Sequence, residues 1–475
     1  MDDENGLGVR LIAAVRDRDV DAVRALLSEG ADPDTADGSG LPALCVAVAA
    51  YDAPVAEALV EGGADPDRAL PDGTTPLWRA VDGGSHAVFA AVLGTEPRLR
   101  LPESERARLI ALASDWYGTE AVEGLRRRTG AAGAATTVRV ADDTYDWVDQ
   151  VSLGGTVVRA GHGGVLSTLE WAFRILAPVD ELVARAVRQP DEEHADWSAI
   201  CWVLASRRSD ETWSAVVAHR HHPDPVHRRF VADYLRSRSF VDWDRPYYGK
   251  KEAELLVAWS AEETDTVVLA KVLGASTEYE HPGLEAAGLR HTDHPDPRVR
   301  REVPVAFLTN GGGRRSPAAR EALLTLTRDP DVEVRLRACS VGADDEVLRS
   351  DVTRALLLMI ESPDAAVRRR AAETLAASPD RSPAVTDALL SMLDEDDQIL
   401  RLEAAWGAGP PRRPTHRRGV RARGPSRSGL RGGPPGRCAP ALEVAAAGRG
   451  DRGGSMFHQA QVGYSFVKPG STTAS

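Results

Sequence analysis

The sequence predicts an all-α chain in which short helix pairs stack into two successive arrays. Three observations predict it. Over the first quarter, apolar residues recur every 33 positions: Leu11, Leu44, Leu77 and Ile110 form one column, Ala14, Ala47, Ala80 and Ala113 a second, and Leu26, Leu59, Val92 and Leu125 a third. Further along, Arg300, Arg335, Arg368 and Arg401 keep steps of 35, 33 and 33. Aromatic residues make up only 5% of the chain against 43% hydrophobic, so Ala, Val and Leu supply the packing. Such side chains suit closely approaching helices. A unit this small cannot bury its own apolar face, so it must stack on copies of itself.

The first array covers 1–130. In its first unit one helix is expected over 11–15 and a second over 21–27. The Ala column marks where the two approach. Gly30-Ala31-Asp32-Pro33 returns as Gly63-Ala64-Asp65-Pro66, each Gly ending a helix in the left-handed region that only Gly enters cheaply. Asp37-Gly38 and Asp72-Gly73 carry tight-turn chemistry. Thr75-Pro76-Leu77-Trp78-Arg79-Ala80 resembles the T-P-L-H-x-A signature of ankyrin repeats, with Trp in place of His. About four units fit. The last two depart from the family, with Glu96 and Thr129 where Gly is expected, and read as degenerate or capping units. The resemblance implies partner binding by the turn tips and inner helix face, at positions matching Asp37, Ser39, Leu41, Arg68, Asp72, Thr74, Trp78 and Arg79. Trp78 has two readings, an exposed anchor or inter-repeat packing.

The Gly/Ala-rich stretch after Gly130 breaks the period, and 131–157 reads as a linker or small irregular junction, with a hairpin around Gly154-Gly155. From His162 the pattern turns helical through Val165, Leu169, Trp171, Phe173 and Leu176. Pro178 suits the first turn of a helix over 179–187.

The second array is expected over 158–406, a helix pair followed by six or seven units. HPDPRVRREV at 294–303 returns, loosened, at 222–231, 329–338, 362–371 and 394–403. Val367, Ala371 and Leu375 share one helix face. Ser382-Pro383 opens the next helix as N-cap and first-turn Pro, and Val385, Leu389, Leu390 and Leu393 form its stripe. Arg228 stands two units before Arg300, with the intervening unit expected over 252–272 and 242–251 as an insertion. Pro304 should bend the helix that starts at Arg298. The D-x-x-V-R opening, the paired-helix period and the bent helix resemble HEAT repeats, in particular the phycobilisome-lyase-type repeats of bacteria. The tandem resembles ankyrin/HEAT repeat proteins of actinobacteria. The implied fold is an ankyrin-repeat stack followed by a HEAT-like α-solenoid.

From Gly407 onward the sequence is Arg/Gly/Pro-rich without apolar period. Disorder is its default state, and a shifted reading frame would account for the abrupt change. The alternative, a nucleic-acid-binding tail, lacks interleaved aromatics. Eleven Arg and one Lys there face only Glu443 and Asp451, so the net charge of −13 conceals a strongly acidic body. Such a body argues against non-specific nucleic-acid binding. Cys45, Cys201, Cys339 and Cys438 form no CxxC pair and read as buried thiols in a reduced compartment. The acidic start is no signal peptide, and no apolar run approaches the ~20 residues of a membrane span, so a cytoplasmic location is expected.

His219, His221 and His222 with Asp224, and His291 and His294 before Asp296, have metal-ligand chemistry, but at inter-helix turns they read as solvated turn residues. The Asp and Arg columns read as helix caps and ion pairs within or between units. Gly311-Gly312-Gly313-Arg314 lacks P-loop spacing, and Gly161-His162-Gly163-Gly164 holds no nucleophile elbow. No catalytic, cofactor or metal constellation emerges. The expectation is a non-catalytic, monomeric scaffold binding an unidentified protein partner on the concave surface of its repeats. The alternatives are an enzyme accessory resembling the HEAT-like lyases, whose similarity is at fold level only, and nucleic-acid binding through the tail.

Overall fold

The computed structural model describes residues 2–189, 191–241, 246–308, 315–392 and 401. They belong to two compact units, the first ending at His291 and the second beginning at Thr292.

The first unit opens with four helix pairs: Asp2–Asp17 with Val20–Ser28, Ala43–Ala49 with Ala53–Glu61, Pro76–Gly83 with His86–Leu93, and Glu103–Tyr117 with Ala121–Thr129. Every member of the Leu, Ala and Leu/Val columns is buried except Ile110, which is half-buried. Gly30 and Gly63 adopt φ of 96° and 98°. Behind them Ala31 N–H donates to Leu26 O and Ala64 N–H to Leu59 O, the Schellman closure that satisfies orphan helix carbonyls. A further column at the same spacing caps the second helices: Asp19, Asp52 and Ser85 accept from the backbone N–H of Ala22, Val55 and Val88. The turn chemistry differs from expectation at one position. The left-handed residues are Gly40 and Gly73, 33 apart, while Gly38 is not left-handed. Gly40 N–H donates to Asp37 O and Gly73 N–H to Leu70 O, so each tip is a tight turn closed by a left-handed Gly.

Within 131–157, expected as a linker or small irregular junction, the Gly/Ala-rich stretch is irregular up to residue 135 and strands follow. Strands β1 (Thr136–Ala141), β2 (Trp147–Leu153) and β3 (Thr156–Arg159) form an antiparallel meander, with the expected hairpin at Gly154 and Gly155, both at positive φ. The meander is built in because it has apolar residues to bury and a charge to place. Val151, Leu153 and Val158 cluster with Trp116 and Leu125. Asp142, after β1, accepts from Arg159 at 2.9 Å, Ser85 Oγ at 2.6 Å and Ala87 N–H at 2.8 Å.

The helix His162–Ala172 packs beside it. Helices Val179–Val187, Ala195–Ser206, Asp210–Ala218, Pro225–Val241, Pro246–Glu262, Thr266–Ser276 and Leu284–Arg290 complete the first unit around Trp197, Phe230, Tyr234 and Trp259. Residues 246–251, expected within an insertion, are the first turns of a 17-residue helix. Pro178 is the N-cap rather than the first helical residue.

In the second unit, Pro297–Glu302 gives way to a 3-10 turn at Val303–Phe307. Pro304, lacking an N–H, ends the α-helix rather than bending it. Helices Pro317–Leu326, Val332–Gly342, Arg349–Ile360, Ala365–Ala377 and Pro383–Ser391 follow. Ser382 and Pro383 hold the expected places, although the Ser382 hydroxyl makes no cap bond. The glycine run at 311–314, most of the repeat copy at 394–403, Cys438 and the tail 407–475 lie outside the described residues.

Candidate protein-binding surface

The residues singled out in the first array sit on successive turn tips and on the inner helix behind them. The Asp37 carboxylate accepts from Ser39 N–H at 2.8 Å, Ser39 Oγ at 2.6 Å, Leu41 N–H at 3.1 Å and Arg16 at 2.7 Å. These bonds, the Ser39 hydroxyl foremost, hold its carboxyl down at about 2. With its side chain 8% exposed, Asp37 organises its turn and offers little to a partner. One unit on, Asp72 accepts from Thr74 Oγ1 and N–H and from Arg79 at 2.8 Å, and is likewise held at about 2, chiefly by Thr74. Asp72 remains exposed. Arg68 reaches back to Asp34 O at 2.9 Å, and Asp34 accepts from Asp65 N–H at 3.0 Å, which ties one turn to the next. Ser39 and Arg68 are exposed, Leu41, Thr74 and Arg79 half-buried.

Trp78 is half-buried against the core of the stack. The Arg108 guanidinium lies 5.8 Å over its ring and donates to Gly73 O at 3.1 Å. Part of the indole therefore packs and part faces the surface. Arg108 belongs to no repeat column, so the sequence period did not reveal it.

In the later repeats a recurring Asp caps a helix: Asp224, Asp265, Asp296, Asp331 and Asp364 accept from Val226, Val267, Arg298, Val334 and Ala366 N–H. Four of the recurring Arg clamp their own turns through Nη1. Arg228 donates to the carbonyls of His222 and Pro223, Arg300 to those of His294 and Pro295, Arg335 to those of Asp329 and Pro330, and Arg368 to those of Ser362 and Pro363. The other edge of the fork reaches the next unit. Arg228 holds Glu263 by two bonds of 3.1 Å, and Arg300 holds Asp329 by bonds of 2.7 and 2.8 Å.

The histidines at these turns are turn residues too. His222, His281 and His294 accept on Nδ1 from the N–H two residues on. His219 lies 3.0 Å from Asp180, and the His222 and His227 rings stack at 3.7 Å. Among the described residues no three His, Cys, Asp or Glu converge as a metal site. Gly161-His162-Gly163-Gly164 is a packing seam. His162 is buried and stacked on Trp116 at 5.0 Å, and a Cβ on Gly163 would meet Asp196 Oδ2 at 2.4 Å. Asp196 in turn accepts from Gly164 N–H. Cys45, Cys201 and Cys339 are free and buried, and burial pushes the thiol of Cys45 up to about 11 and that of Cys339 to about 12. Among the described residues no helix is long and apolar enough to cross a membrane.

Residues 11–100 match the family model of ankyrin repeats (3 copies), and residues 320–409 match that of HEAT repeats. No curated protein matches the chain. Among solved structures, an engineered protein from the Northeast Structural Genomics Consortium is similar, at 14% identity and a TM-score of 0.36, over 84% of this chain and 98% of that one. The helical repeat fold and both repeat types expected from the sequence are thus present.

Proposed function

We propose that this chain, with ankyrin repeats over 11–100 and HEAT repeats within 320–409, is a non-catalytic scaffold that holds a protein partner on its ankyrin turns. Repeats of both kinds are in general protein-interaction modules, because stacking lines up equivalent side chains into an extended surface. The observation that carries the reading is the row of Ser39, Arg68 and Asp72 on successive tips, with Trp78 half-buried behind it. Turn-organising bonds fix these tips before any partner arrives, which lowers the ordering cost of binding. Trp78 is the anchor: a large ring, partly covered, with the Arg108 cation over it.

The test is chemical cross-linking of the full chain in cells, followed by its capture and mass spectrometry, on the wild type and on Ser39→Arg and Trp78→Ala. A partner whose recovery drops by about tenfold or more in both variants, as expected for a surface holding a hot-spot residue, supports the scaffold. Circular dichroism establishes that both variants fold, and the exposed Ser39→Arg keeps the test meaningful if Trp78→Ala is destabilised. An unchanged partner set sinks the proposal, as does co-purification of a small ligand instead of a protein.

A further inference from the structure

Among the described residues, one Arg clamp departs from the pattern set by Arg228 and Arg300. Arg228 and Arg300 each spend the second edge of the guanidinium on a carboxylate at the first turn position of the following unit, Glu263 and Asp329. Counted the same way, the position facing Arg335 is Ser362, 33 residues after Asp329. Ser362 spends its hydroxyl on Asp364 N–H, and Arg335 bonds only through Nη1 to the carbonyls of Asp329 and Pro330. Among the described residues the Nε–Nη2 edge of Arg335 meets no acceptor. An internal carboxylate is missing where the clamps at Arg228 and Arg300 have one.

Arg335 lines a groove of about 620 Å³ in the second unit. Val332, Ala355, Leu358, Met359 and Val367 give it an apolar wall, and Leu358 stands 69% exposed there. Arg328 and Arg354 line it as well, both on the single carboxylate of Asp351, at 3.5 and 3.1 Å. Glu361 is the groove's other acid. Three guanidinium groups face two carboxylates, one of them already shared.

We propose that this groove receives an acidic segment of a partner protein, one Asp or Glu carboxylate seated on the free edge of Arg335 and a neighbouring apolar side chain laid against Leu358 and Met359. A planar carboxylate fits the fork with two parallel bonds, as Glu263 and Asp329 do in the other units. Asp351 and Glu361 favour this singly charged group over a doubly charged phosphate. Charge also disfavours this chain's own tail, which is strongly basic beyond Gly407. The inference concerns a different surface from the ankyrin tips and stands without them.

A random-peptide display library selected on the full chain provides the probe. The enriched peptides carry Asp or Glu beside a large apolar residue. The best of them, made synthetically, loses about tenfold or more in affinity on Ser362→Asp, which supplies the missing carboxylate internally. Replacing its Glu by Gln costs as much on the wild type but almost nothing further on Ser362→Asp. Ser362→Asp melts no lower than the wild type, so lost binding is not lost fold. Leu358→Gln, at an exposed site, weakens the same peptide, whereas Ser39→Arg leaves it unchanged and so reads the ankyrin surface separately. The proposal is overturned if no peptide is enriched, if the enriched peptides lack a carboxylate, or if Ser362→Asp binds them as the wild type does.

Discussion

Asp146→Asn should make the first unit more stable at alkaline pH while changing little under acid conditions. Asp146 lies in the connection between β1 and β2, where its carboxylate accepts from the Ser198 hydroxyl. Burial, with the charges of Asp143, Asp142 and Glu193 adding to it, raises its pKa to about 7, while Ser198 opposes the rise. Unfolded, the same group titrates near 3.9. Between these two values the unfolded chain has lost a proton that the folded chain keeps. Stability therefore falls as pH rises from about 4 to about 7, and levels off above. A gap of roughly three pKa units corresponds to about 4 kcal/mol, and partial exposure of the residue trims this to about 2–4 kcal/mol.

His162 slopes the opposite way. Burial holds its pKa down at about 3, so the folded chain stays neutral while the unfolded chain protonates below about 6.5. Its contribution is present above that value and lost as pH falls toward 3. In the wild type the two slopes oppose each other over much of the same window. Only the difference between variant and wild type isolates Asp146. Urea unfolding followed by tryptophan fluorescence, from about pH 5 to about pH 8, measures it. Asn keeps an acceptor for Ser198 but no charge, so the variant should gain about 2–4 kcal/mol relative to wild type across that range. A difference that stays flat with pH refutes the claim that this carboxyl is desolvated on folding.

Other perturbations probe the same unit. Glu252 accepts from Arg238, Trp213 Nε1 and Tyr279 Oη, and the Arg238 side chain is 2% exposed. Glu252→Ala removes the carboxylate that meets the buried Arg238 guanidinium and should cost about 3–5 kcal/mol in urea unfolding, while Arg238→Met with Glu252→Leu recovers most of it. A double variant as unstable as the single would count against the pair being a desolvated one. Gly84→Ala puts a Cβ 2.0 Å from Arg159 O and 2.2 Å from the His162 ring at φ +71°, so it should lose more than about 3 kcal/mol in thermal unfolding. Gly130→Ala, at φ +67° with nothing within 4 Å, should lose only about 1 kcal/mol. Equal losses at the two sites would show that backbone strain alone, without the collision, sets the cost.

The columns were legible because each unit reports the same burial again: Leu11, Leu44 and Leu77 are all essentially inaccessible. The meander was not, because β2 packs both faces. Val148 points one way, Val151 and Leu153 the other, and the expected alternation is lost. Only its Gly154-Gly155 hairpin stood out. The tight turn includes the expected Asp37-Gly38, but its left-handed residue is Gly40, where the period pointed. Of the site residues picked from the sequence, only Ser39, Arg68 and Asp72 are exposed, and the bonds that hold the others were not legible. Asp37 spends its carboxylate on its own turn, and the cover over Trp78 comes from Arg108, off the repeat register.

The Arg and Asp columns show why a repeat array conceals what it binds. A strong periodic signal marks positions every unit needs, so the residues that stand out are those already engaged. Asp296 caps a helix, and Arg300 closes its own turn and fixes the next. Such residues have little left for a ligand. Capacity for recognition has to lie where a unit departs from its neighbours while the surrounding geometry is kept. Ser362 is such a departure: the clamp that should end on it is intact, its backbone bonds are made, and among the described residues the donors of its Nε–Nη2 edge are unspent.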